Sequence, residues 1–454
     1  MRVAWGWLKA AGVAALHMLA GPGCGSADTR DSVAAVSADV LDSYRAEFDL
    51  RWRGHLAGRA REELSARPGA SGYRLSRSER WRVARGDSVV EWEIEVVIDA
   101  DSRLRGERIS FYRDRRLRGS ARRASGGWII ETADQAPRRA PAAEPAELVF
   151  LRASRPGAAR WSGPVLLAGF DFAAAELAVE PVSARELRAV LTAAAGRLQT
   201  RVWLRGDGTV ERAAGPDVTA TRSAEGAPAG QPPDLIALGA ITVAGSRRAA
   251  IEIDVAPRRD PPAALPGQRI LAAPAGWRIE LGGPSGRVAW PAPAIPDPAP
   301  DAALRALADK VVRAAGAAGP LDELRALARH TADAVDDDLS AGTVSAAGDV
   351  LLAGRADCVG HAALFSALAR ARGFDVRLVS GYRLDGRVLA RHMWAVARVG
   401  ASTIVIDPTA GEAPPAPGHH IGLVAHGSAP AEIALAAELA FAGLSGARAR
   451  FVTP

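Results

Sequence analysis

The chain has 454 residues, enough for two or three domains with sizeable cores. With 48% hydrophobic and 24% charged residues it has the composition of a globular protein, which excludes a fibre or a wholly disordered chain. The net charge of +6 is small for this length and is carried almost entirely by arginine, which speaks for a solvated surface and against a nucleic-acid partner.

In chain order, MRVAWGWLKAAGVAALHMLAGPGCG comes first. It combines Arg2 and Lys9 with an apolar run from Ala10 to Ala20 and small residues up to Cys24. This is a secretory signal pattern over 1–24, too short for a membrane span. A cysteine at its end resembles a bacterial lipoprotein signal, although Gly21 stands where those signals usually carry leucine. The expectation is an exported protein of the periplasm or outer envelope, attached to a membrane where Cys24 is acylated. Cys358 is then the single thiol of the mature chain, and no internal disulfide can form.

Residues 25–290 read as a mainly antiparallel β domain. Helical spacing over 31–66 predicts a helix leading into it. From Tyr73 the period becomes two: in VVEWEIEVV, Val90, Trp92, Ile94 and Val96 alternate with Glu91, Glu93 and Glu95. Further strands are predicted at RISFYRD, GWIIET, ELVFLRA, TRVWLRGDGTVERA, AITVAGSRRAAIEIDV and GWRIEL, with a short helix over 183–195. Gly206-Asp207-Gly208 and Gly245-Ser246 read as hairpin turns. The arginine-rich RLRGERISFYRDRRLRGSARR reads as exposed strand faces and turns. This half shows no catalytic constellation, and carrier and sensor roles both stay open for it.

PAPAIPDPAP, at 291–300, reads as a stiff extended linker. Three helical patterns follow: DAALRALADKVVRAAG, PLDELRALARHTADAVDDD with Pro320 suited to a first turn, and VSAAGDVLLAG. A fourth helix begins at Asp357-Cys358 and stops at Gly373. Strands VRLVSGY, HMWAVARV and STIVID complete an α+β domain over 301–454.

Cys358 falls in the first turn of its helix, where unpaired N–H groups and the helix dipole favour a thiolate. A thiolate nucleophile needs a base, and the base needs an orienting partner. His392, Trp394 and Val396 share one face of a strand; Thr403, Val405 and Asp407 share one face of the next. If Gly400-Ala401 is a two-residue loop, Trp394 pairs with Asp407 and His392 is its diagonal neighbour, about 5 to 8 Å away. A three-residue loop would turn Asp407 to the other face. Tyr382 is placed either at the border of this cleft or on its rim, and His419, His420 and His426 on a Gly/Pro-rich loop.

Taken together, ADCVGHAALFSALARARGFDVRLVSGY, RHMWAVARV and IVIDPTAG resemble the three motifs of the transglutaminase-like superfamily in its bacterial branch. HHIGLVAHG resembles a frequent continuation of them. The resemblance covers 301–454 and implies a papain-like, transglutaminase-like α+β domain with Cys358 as nucleophile, His392 as base and acid, and Asp407 as orienter. It implies no cofactor. Cys358 and His361, with His392, also have zinc-compatible spacing, but no second cysteine pair exists and the family's triad is metal-free. Ala356 stands where the family usually has glycine, Gly360 where glutamate is common, and ASTIVID lacks a frequent tryptophan.

The expected function is an exported thiol enzyme acting on amides of a peptide or protein substrate through a thioester. Hydrolysis is favoured over amine transfer and cross-linking. A catalytically silent binding or scaffold protein is the alternative of another class, although such members usually lose a triad residue.

Overall fold

The computed structural model describes residues 43–453 except 68–70, 134, 156–159, 171, 194–195, 224–230, 256–261, 263–264, 283–289, 292, 294, 296, 342–345, 443 and 445–446. The predicted leader with Cys24, and 31–42 of the predicted first helix, lie outside the described residues.

The first half is one fifteen-stranded sheet. It opens with β1 (Tyr44–Trp52), β2 (His55–Ala66), β3 (Tyr73–Arg85) and β4 (Ser88–Ala100), and β5–β15 follow between 106 and 222. Neighbours in sequence pair in the sheet, except β8 and β9, and β1 also pairs with β15, the strand at Val218–Arg222. The two edge strands, Gln135–Pro141 and Glu144–Pro145, are consecutive in the chain, so the sheet curls back on itself. Its concave face is filled by Phe48, Leu50, Trp52, Trp81, Trp128 and Ile98, all essentially inaccessible.

Three local expectations fail here. Residues 44–66 form β1 and β2 instead of a helix, because Ala60, Glu62 and Leu64 point inward while Arg59 and Arg61 point out. That alternation is hard to read when small and charged residues hold the inward positions; Glu62 is buried because Arg77 pairs with it at 2.7 Å. The predicted helix over 183–195 is the strand Glu186–Ala193, with Leu187, Ala189 and Leu191 inward. Conversely ELVFLRA is helical, in α1 (Ala146–Ala153), whose Leu148, Val149 and Phe150 are buried in succession; a short run buried all round carries no period to read. The turn at Gly206-Asp207-Gly208 forms as expected, with Asp207 Oδ1 accepting the Thr209 N–H at 2.9 Å.

After a short helix α2 (Leu235–Gly239) the chain enters a nine-stranded sheet. Its first strands are β16 (Ile241–Ala244), β17 (Ala250–Asp254), β18 (Gln268–Ala273) and β19 (Gly276–Leu281). The sheets therefore divide between Arg222 and Ile241, not at 291–300 as the proline-rich stretch suggests. Nor is Gly245-Ser246 a hairpin turn. The last strand of the chain, Arg448–Val452, lies between β16 and β17, parallel to one and antiparallel to the other.

Four helices precede the remaining strands: α3 (Ala302–Ala314), α4 (Pro320–Ala334, proline in its first turn), α5 (Ala347–Ala353) and α6 (Cys358–Ala371). Two two-residue strands, β20 (Asp336–Asp337) and β21 (Arg355–Ala356), pair just before α6. Then come β22 (Val376–Asp385), β23 (Val388–Val399), β24 (Ser402–Ile406) and β25 (His420–His426). Leu364, Phe365 and Leu368 of α6 pack in one core with Leu378, Met393, Ala395 and Ala397 on one face of this sheet.

Helix α7 (Pro430–Phe441) joins the halves. Leu435 and Leu439 belong to the core of the N-terminal sheet, while Ile433, Ala437 and Phe441 belong to that of the C-terminal one. A helix buried on two faces has to be apolar nearly all round, as IALAAELAF is apart from the buried Glu438. The protein is thus a large, mainly antiparallel β domain joined to an α+β domain.

Candidate active site

Asp357 starts α6. Its Oδ1 accepts the N–H groups of Val359 at 2.9 Å and Gly360 at 3.3 Å, which caps the helix and fixes the turn carrying Cys358. His361 locks the same turn from behind: its Nδ1 and Nε2 each lie 2.9 Å from a backbone carbonyl, those of Asp357 and Val335. The ring is spent on the backbone, so the zinc-compatible set that includes it does not assemble. Cys358 itself is a free thiol and partly accessible.

The β23–β24 register is the one a two-residue Gly400-Ala401 loop dictates. Val399 faces Ser402 and Ala395 faces Ile406, so the next pair along the ladder is Trp394 and Asp407. His392 is then the diagonal neighbour of Asp407 on one face, and its Nε2 lies 2.9 Å from Asp407 Oδ2. With Nε2 taken, Nδ1 is the nitrogen left for the thiol, and the imidazole is hydrogen-bonded to Cys358. The structure brings Cys358, His392 and Asp407 into one chain of contacts.

Sequence reasoning left a fourth member out. His420 stands on a strand, not a loop, and its Nε2 also lies 2.9 Å from Asp407 Oδ2. Arg383 Nη1 approaches the same oxygen at 3.7 Å, and Thr409 donates its N–H to Oδ1 at 3.2 Å. Ile421, Leu423 and Ala425 alternate with His420, Gly422 and Val424, and that period of two was the available signal. His392, Asp407 and His420 each place one donor atom within 4.8 Å of the others, a spacing a cation could bridge. Two imidazole nitrogens at 2.9 Å from one carboxylate oxygen are, however, at hydrogen-bond distance, and both rings hydrogen-bond to Asp407 Oδ2.

The Trp394 ring packs this group in place. It stacks on the His392 ring at 6.1 Å and meets the His420 ring edge-on at 4.9 Å. Room for it comes from Gly381: a Cβ there would lie 2.7 Å from the Trp394 ring and 2.1 Å from the Ile421 carbonyl. Tyr382, predicted at the border of the cleft or on its rim, is fully buried on the opposite face, edge-on to Phe441. His426 is buried too, between Ser380 and the Gly427 carbonyl, and His419 contacts the Leu384 carbonyl at 3.2 Å.

Electrostatics follow from these contacts. Burial alone would lower the His392 pKa; the hydrogen bonds to Asp407 and Cys358, with their charges, outweigh it and push it up from 6.5 to about 10. Burial alone would raise the Asp407 carboxyl; His392 and His420 hold it well below the usual carboxylate range instead. The arrangement is that of an imidazolium held against a buried carboxylate, with the Cys358 sulfur as its other partner.

Residues 305–408 match the family model of the transglutaminase-like superfamily, a stretch that includes Cys358, His392 and Asp407 but stops short of His420. The C-terminal region is transglutaminase-like. No curated protein matches the chain. Among solved structures, the chain is similar to a beta-barrel-like protein of domain of unknown function DUF1849 from Brucella abortus, at 13% identity and TM-score 0.30, over 40% of this chain and 95% of that one.

Within the transglutaminase-like region, the two departures beside the thiol explain each other. A Cβ added at Gly360 would lie 2.4 Å from the Ala356 methyl and 3.3 Å from a Val350 methyl. Ala356 therefore fills the space over Gly360, so a side chain fits at only one of the two positions. Gly360→Ala is expected to cost roughly 1 to 3 kcal/mol by overpacking. Adding Ala356→Gly should recover most of it in denaturant melts; an additive loss in the double variant would contradict this account.

Proposed function

We propose that the protein is a thiol acyl-transfer enzyme that cleaves an amide of a peptide or protein, probed most directly with water as the acceptor. The observation that carries this reading is the Asp407–His392–Cys358 chain of contacts at the start of a capped helix. In this reading Cys358 Sγ attacks the carbonyl carbon, and the oxyanion is held by the Cys358 N–H, which precedes the two N–H groups used by the cap. The C–N bond then breaks as His392 gives its Nδ1 proton to the departing amine. A thioester remains. Water, deprotonated by His392, attacks it and releases a carboxylate and the thiol. An amine in place of water would instead give a new amide. Asp407 keeps the imidazole oriented and its positive charge compensated throughout.

The leader pattern at 1–24 supports an exported enzyme, with Cys24 as a site of acylation. Incubating the wild type and Cys358→Ala with a peptide library, with and without a primary amine, tests the reaction by mass. Hydrolysis adds water and splits the peptide, whereas transfer replaces ammonia or an amine by the added one. Equal product patterns from wild type and Cys358→Ala would sink the reading.

A further inference from the structure

The turn that carries Cys358 is held from the other domain. β3 ends at Arg85, which is 6% exposed, and its Nη2 lies 3.1 Å from Oδ2 of Asp357, which is 2% exposed. Asp357 thus divides its carboxylate between two tasks: Oδ1 caps the helix and Oδ2 takes a guanidinium delivered from 272 positions earlier in the chain. The hairpin tip bearing Arg85 is itself fixed on the C-terminal side. Ala84 donates its N–H to the Pro233 carbonyl at 2.9 Å, and Leu339 packs over the Gly86 turn. The His392 strand is gripped in the same way. Arg391 Nη2 lies 3.7 Å from the buried Asp217 of the β domain, which also takes Arg53 Nε at 3.4 Å. Each of the two elements that bear reacting groups is therefore tied to the β domain by a buried ion pair next to the reacting residue.

We infer that Arg85 is a positioning residue of the reactive thiol and that the active site is completed by the N-terminal β domain. A buried carboxylate immediately before a thiolate opposes it by like-charge repulsion unless a cation compensates it. Arg85 supplies a buried cation at 3.1 Å, and its fork fixes the carboxylate that caps the helix. The β domain, which by sequence shows no catalytic constellation, thereby acts on the chemistry through one side chain. Among the described residues, the other charged or titratable groups around the turn are His361 on α6, His392 on β23, the exposed Asp336 and Asp337 of β20, and the Arg355–Asp338 pair at 3.2 Å beside β21. The last is exposed and contributes little.

The inference rests on Cys358 being the nucleophile. Its test is the rate at which iodoacetamide alkylates Cys358 in the full-length protein between pH 5 and 9, followed by intact mass. Wild type tests the underlying reading by itself: reaction at pH 6 no faster than a free thiol's would end that reading whatever Arg85 does. Given a reactive wild type, Arg85→Gln is expected to slow alkylation at pH 6 about tenfold, as the loss of one cation beside a neighbouring negative charge should. Adding Asp357→Asn, which removes that charge and still caps a helix, is expected to restore the rate to within about threefold. A structural role alone would make the double variant slower still. An Arg85→Gln profile equal to wild type, or a double variant no faster than the single one, overturns the inference. Should Arg85→Gln not fold, the double variant is compared with wild type directly, and a rate tenfold lower, or failure of the double variant to fold, overturns it equally.

Discussion

Replacing His392 with alanine is expected to lower turnover of a peptide amide by about 10²- to 10⁴-fold, the range spanned by a well-placed general acid–base group. The loss should fall on kcat more than on KM, because the imidazole handles the protons of bond making and breaking and adds little to ground-state binding. His392 is 8% exposed, and its ring is fixed by Asp407 on one side and Trp394 on another, so in the proposed mechanism the proton donor is in place before substrate arrives. His420 is not a substitute. It reaches the same Asp407 oxygen, but its ring centre lies 5.8 Å from that of His392, and sequence position places it on a different strand. A His392→Ala variant retaining more than about a tenth of wild-type kcat would mean that another group moves the proton.

Asp407→Ala is expected to be the most destabilising substitution in the site, by about 3 to 5 kcal/mol, because it leaves the buried His392 imidazolium without its anion. The carboxylate has no exposed surface and answers His392, His420, Arg383 and the Thr409 N–H together. The pH dependence has a definite sign. Asp407 is depressed in the folded state, so its contribution is present above the ordinary carboxylate range and is lost as pH falls through and below it. His392 is raised from 6.5 to about 10, so its contribution is full below 6.5 and is lost as pH rises toward 10. The pair stabilises the fold fully between about pH 4 and 6.5. Melting temperatures of wild type minus Asp407→Ala should therefore be largest in that window and shrink on both sides; a difference that does not change with pH would contradict the charged pair.

Much of the candidate site was legible because its determinants are local. A helix start, a strand alternation and a two-residue loop fix Cys358, His392 and Asp407, and each can be read within a dozen residues. Arg85 could not be read this way, since nothing near it in the chain announces a partner 272 positions away. His420 was obscured by flanking glycine and proline, which suggest a loop, although Gly422 is needed there: a Cβ would lie 2.4 Å from Leu265 and 3.0 Å from Val379. The β domain was recognised as β, yet β1 and β2 looked helical. The inward face of β2 carries Ala57, Ala60 and a compensated Glu62 in place of the branched residues that usually mark a strand. The domain boundary was misplaced because proline density marks extended chain, and extended chain can run across a domain as well as between two. Ile295 packs in the β-domain core, and its N–H is accepted by Glu432 of α7 at 3.1 Å.

The central claim is that Cys358 reacts as one half of a thiolate–imidazolium pair. Its most direct test is the alkylation rate of Cys358 at pH 5.5 and at pH 8 in wild type and in His392→Ala. The account predicts wild-type rates at the two values within about threefold of each other, and a steep fall at pH 5.5 once His392 is gone. A wild-type rate that drops about tenfold for each unit of acidification, as a free thiol's does, would contradict it.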